Sequence, residues 1–86
     1  MITGVNTHHP CGGTDFHIQV EDLADSCDLD ARVYIAGRVV FHKRVSYREA
    51  IAGLGNPKHI ETAVTEELAK LVGLLKAAID RGKIVR

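Results

Sequence analysis

The sequence predicts an α+β fold: an antiparallel sheet of two β-hairpins, about four strands, followed by a short helix and a long C-terminal amphipathic helix packed on one face. Three observations carry this. Apolar and polar residues alternate from Thr14 to Asp22. The alternation returns from Ala31 to Ala36 and from Val39 to Val45, on either side of Gly37. From Pro57 to Arg81 apolar residues instead recur every three or four positions. Period two marks a half-buried strand, and period 3.6 marks a helix with one apolar stripe.

The first strand is expected from Ile2 to His9, with Pro10-Cys11-Gly12-Gly13 as its turn, since proline interrupts a ladder and glycine supplies positive φ. The second runs from Thr14 to Asp22, with Phe16, Ile18 and Val20 on one face and His17, Gln19 and Glu21 on the other. Leu23 to Asp30 reads as a polar loop. Ala31 to Ala36 and Val39 to Val45 form the second hairpin around Gly37, and Lys43 and Arg44 suit a strand at the sheet edge. Ser46-Tyr47-Arg48-Glu49 matches a capping box, with Ser46 and Glu49 capping each other, and opens a short helix that ends at Gly53 and Gly55. Asn56-Pro57 restarts the chain as a helix: asparagine caps, and proline is tolerated at the first helical position.

In the long helix Ile60, Val64, Leu68, Leu71, Leu75, Ala78 and Ile79 share a face, which Val72 and Leu74 widen. Glu66 and Lys70 are spaced to pair, and Gly82 is the expected stop. The sheet face under this helix is expected to be Phe16, Ile18, Val20, Val33, Ile35, Val39 and Phe41. The opposite face then carries His17, Gln19, Tyr34, Val40 and His42.

The 86 residues make one domain with a thin, aliphatic core: there are two Phe, two Tyr and no Trp. A thin core favours self-association, which hides apolar surface that a monomer leaves wet. Formal net charge is zero, which weighs against nucleic acid or an anionic membrane as partner. The charge is uneven along the chain. An acidic run (Glu21, Asp22, Asp25, Asp28, Asp30) precedes a basic one (Arg32, Arg38, Lys43, Arg44, Arg48), and both read as solvated surface. Met1-Ile2-Thr3-Gly4 has no signal-peptide character, and no apolar run approaches the roughly 20 residues that span a bilayer. Two cysteines make no disulfide framework, so the expectation is a cytoplasmic protein with reduced thiols.

Chemistry-bearing residues cluster in the first half. His9, Cys11, His17 and Cys27 are zinc-ligand types, and a hairpin turn at Cys11 would let His9 and His17 face each other. They lack the paired spacing of a zinc site, so a small zinc domain is an alternative reading. The acidic loop lacks the mid-loop glycine and terminal glutamate of an EF-hand. Cys11 beside His8, His9 or His17 could form a nucleophile pair, but no oxyanion motif accompanies it. A small enzyme therefore ranks below a non-catalytic module. His17, Gln19 and Glu21 form a polar stripe that could bind a partner or lie solvated.

Asn6-Thr7, Phe16-His17-x-Gln19-x-Glu21-Asp22, Gly37-Arg38-Val39-Val40 and Lys43-x-x-Ser46-Tyr47 together form a pattern. It resembles a group of small uncharacterised bacterial proteins. That resemblance implies that His17, Gln19 and Glu21 belong to a site or to a structural hydrogen-bond network. The double-stranded RNA-binding fold also ends in a sheet and a helix. Here the last helix opens Pro57-Lys58-His59-Ile60-Glu61, without that family's basic cluster, so charge weighs against an RNA-binding module. The reading that follows is a non-catalytic interaction or assembly module that self-associates as a homo-oligomer or binds another protein.

Overall fold

The computed structural model describes residues 4–84. It contains β1 (Gly4–Cys11), β2 (Thr14–Leu23), β3 (Asp28–Ile35), β4 (Arg38–Ser46), α1 (Arg48–Ile51) and α2 (Pro57–Asp80). The four strands form one antiparallel meander in chain order. The expected α+β architecture is therefore present. Ile2 and Thr3 of the expected first strand lie outside the described residues.

Three boundaries differ from the sequence reading. Pro10 and Cys11 belong to β1, opposite Asp15 and Thr14, and the turn is Gly12-Gly13 alone. Both glycines have positive φ, 58° and 79°, the signature of a type I′ turn. Pro10 is tolerated because β1 is an edge strand. Leu23 and Asp28–Asp30 are strand, so only residues 24–27 connect β2 to β3. The capping box does not form. Tyr47 is the N-cap of α1, without a side-chain cap bond, and the Ser46 hydroxyl accepts from the Arg48 amide at 3.2 Å.

A β-bulge at Val40 has the largest consequence. Val33 lies opposite Phe41 and Tyr34 lies opposite Val39, which leaves Val40 as the extra residue. The bulge moves Val39 onto the open face of the sheet, 47% exposed, and turns Val40 to pack against the core. The sequence reading had these two reversed, because alternation through a bulge slips by one.

The core lies between the sheet and α2. β2 contributes Phe16, Ile18 and Val20; β3 contributes Leu29, Ala31 and Val33; α2 contributes Val64, Leu68, Leu75 and Ile79. Asn56 caps α2 through its side chain, accepting from the Lys58 amide at 2.8 Å. At the other end the Lys83 amide donates to the Ala78 carbonyl (2.8 Å) and the Gly82 amide to that of Ile79 (3.0 Å), a Schellman closure. Ile84 then folds back into the core. Lys70 pairs with Glu67 at 3.1 Å, one position from the expected Glu66.

The β3–β4 turn holds a local strain. Ala36 has φ 51° and Gly37 has φ 79°, the conformation of the β1–β2 turn with an alanine where glycine or asparagine fits better. Ala36→Asn is expected to stabilise the fold by about 0.5–1 kcal/mol, read as a rise in the urea midpoint at unchanged slope.

Candidate functional site

β2 and β3 are central strands with α2 on one side, so their outward side chains form an open sheet face. Cross-strand register arranges this face in rows. One row is His8, His17, Tyr34 and Val39. The next is Asn6, Gln19, Arg32 and His42, and the one after is Gly4, Glu21, Asp30 and Arg44. The predicted stripe of His17, Gln19 and Glu21 thus lies along the middle of the face. The His17 ring stacks on His8, with centroids 4.6 Å apart and planes 8° apart, and leans on Tyr34 at 5.7 Å. His17 Nε2 donates to Asn6 Oδ1 at 3.1 Å. Gln19 and Glu21 border a shallow depression with Asn6.

The sequence reading missed the most organised group on this face. The side chain of Asp30 is only 7% exposed, although it sits on the open side. Three neighbours cover it. His42 Nε2 donates to Oδ1 at 2.7 Å, Arg32 Nε reaches Oδ2 at 3.4 Å, and Arg44 Nε reaches Oδ1 at 3.6 Å. Asp30 and Arg44 face each other across β3 and β4, as do Arg32 and His42, so the four form a square. The His42 hydrogen bond, with the charges of His42, Arg32 and Arg44, holds the Asp30 carboxyl below its ordinary value against the opposing cost of burial.

The proposed zinc ligands are not brought together. His8, and not His9, faces His17 across the hairpin. His9 points to the helix side and donates from Nε2 to Asp80 Oδ1 at 2.7 Å. Cys11 is on the same side, its thiol 3.9 Å from the Ile79 carbonyl. His17 is on the opposite face, and Cys27 lies in the β2–β3 turn, bonded back to Ala24. The physical reason is register: placing the turn at Gly12-Gly13 gives His9 and His17 opposite parity. Among the described residues no three His, Cys, Asp or Glu side chains converge as metal ligands.

Two further features bear on function. Tyr47 is buried; its hydroxyl donates to Asp22 Oδ1 at 2.6 Å and its amide to the Cys27 carbonyl at 2.9 Å. Burial and the Asp22 carboxylate push its phenol well above the ordinary tyrosine value. On the helix side, an apolar cleft of about 330 Å³ opens between α2 and the β3–β4 half of the sheet. Phe41, Val45, Leu71 and Leu74 line it, and Leu74 is 61% exposed.

No protein family, curated protein or solved structure matches the chain. Among the described residues no helix is long and apolar enough to cross a membrane.

Asp30 and Tyr47 bound the pH range of stability from opposite sides. A depressed Asp30 stabilises the fold above the unfolded carboxyl value, about 3.9, and loses that contribution as pH falls through its folded value. A raised Tyr47 contributes below the unfolded phenol value, about 10, and its contribution is lost as pH rises beyond it. Asp30→Asn is expected to cost about 1–2 kcal/mol near neutral pH, and the gap to wild type should narrow below about pH 4. Tyr47→Phe should cost about 1–2 kcal/mol at neutral pH and blunt the alkaline loss. Urea titrations of both variants across pH test the signs.

Proposed function

We propose that the chain is a non-catalytic assembly module that self-associates through the cleft between α2 and the β3–β4 half of the sheet. The carrying observation is the incomplete cover of that sheet. α2 packs closest to β1 and β2, and Phe41, Val45, Leu71 and Leu74 remain around open space. Fully burying one such side chain is worth about 1.5–3 kcal/mol, so a second molecule laid on the cleft recovers what the fold leaves exposed.

Charge supports a second copy as the occupant. The chain has no net charge to oppose association. At the cleft rim Glu67 is paired with Lys70 within the chain, and Lys43 on β4 is exposed beside them. The contact is face to face and not strand to strand. β4 carries the inward-facing Lys43 and a bulge, both of which discourage edge pairing. Two unpaired cysteines, each half-buried, suit a reducing cytoplasm.

Sedimentation velocity over a wide concentration range is the test. Wild type is expected to show a reversible dimer, and Leu74→Glu to weaken it at least tenfold while keeping its helical circular dichroism, because Leu74 contributes little to the monomer core. A wild-type protein that stays monomeric at the highest concentration would refute the proposal.

A further inference from the structure

Aspartate is disfavoured within strands, and burying a carboxylate is costly unless cations and hydrogen bonds surround it. Asp30 nevertheless occupies a central strand, buried, on the face that α2 does not cover. A buried ion pair is weak evidence for net stability, because desolvation consumes most of the attraction. What the arrangement does supply is position. Arg32 and Arg44 both approach Asp30 through Nε, at 3.4 and 3.6 Å, so the inner nitrogen of each guanidinium is the atom turned to the carboxylate. His42 is fixed through Nε2, which leaves its Nδ1 edge outside the bond. All three side chains are about half exposed: Arg32 45%, His42 47% and Arg44 56%.

The charges do not balance within the square. One carboxylate faces two guanidiniums and an imidazole. Glu21, across from Asp30 on β2, and the neighbouring Tyr34 both favour the charged form of Arg32. Of the two guanidiniums, the less compensated is therefore Arg44, on the β4 side. Two half-exposed guanidiniums set on either side of one buried carboxylate suit an anion with several oxygens.

We propose that Arg44 and Arg32, with His42 beside them, form a docking site for a phosphate-class oxyanion, and that Asp30 positions the two guanidiniums. This site is on the opposite face from the self-association cleft and is independent of it.

The test is a titration of the full chain with inorganic phosphate at constant ionic strength, followed by side-chain and amide NMR shifts. Saturable shifts confined to Arg32, His42 and Arg44, with a dissociation constant on the order of 1 mM, are expected. Arg44→Gln should weaken binding about tenfold, and Arg44→Lys, which keeps the charge but loses the fork, should also weaken it. Asp30→Asn separates positioning from simple attraction. It makes the square more positive, so charge alone predicts tighter binding, whereas positioning predicts weaker binding. Shifts that do not saturate, an Arg44→Gln variant that binds as wild type does, or a folded Asp30→Asn variant that binds more tightly would each overturn the proposal. If circular dichroism shows Asp30→Asn to be unfolded, the two Arg44 variants decide it, since Arg44 is exposed.

Discussion

Strands β2 and β3 pair over eight residues, and their register decides where the other side chains stand. Ile18 meets Val33 and Val20 meets Ala31 on the inner face, all four at or near zero exposure. The same register sets Gln19 against Arg32 and Glu21 against Asp30 on the outer face. Side chains alternate along a strand, so a slip of one residue would exchange the two sets, exposing the core and burying the charges. The apolar core and the polar face are thus two consequences of one pairing. β1 and β4 extend it on either side, and α2 has a surface to cover only because the pairing has gathered one.

The elements with a clean period were readable from the sequence. Phe16, Ile18 and Val20 mark β2, and Val64, Leu68, Leu75 and Ile79 mark α2, each without outside help. The failures have tertiary causes. Leu29 and Ala31 alternate with Asp28 and Asp30, yet two aspartates made the segment read as loop. Asp30 is acceptable in a strand only because His42 and Arg44 on β4 and Arg32 beside it meet its charge. No local pattern announces that. The Val40 bulge is equally silent, because Val39, Val40 and Phe41 are all apolar and any parity looks plausible. The polar stripe of His17, Gln19 and Glu21 was legible as a stripe. Its neighbours were not: the partner of His17 depended on whether the turn took four residues or two.

β4 serves both surfaces of the molecule. Phe41 and Val45 turn toward the apolar cleft, while His42 and Arg44 turn toward Asp30. The bulge lies just before this stretch and sets the twist and aim of both rows together. The edge position leaves the strand free of a further partner, so neither row is screened by a neighbouring strand. Tyr47, immediately after β4, ties this end of the sheet to the end of β2 through Asp22 and to the β2–β3 turn through Cys27.

The meander order has a consequence for how the chain reaches this structure. Each strand pairs with its sequence neighbour, so the sheet forms from local contacts alone, the kind that fold quickly. α2 is different. Its last turn returns to the beginning of the chain, where Asp80 meets His9 across 71 positions. During synthesis the strands precede the helix, so the sheet can be complete while Phe16, Ile18, Val20 and Val33 are still without a cover. The interval between closing the last hairpin and docking α2 is when this protein is most exposed to capture by chaperones or by its own kind.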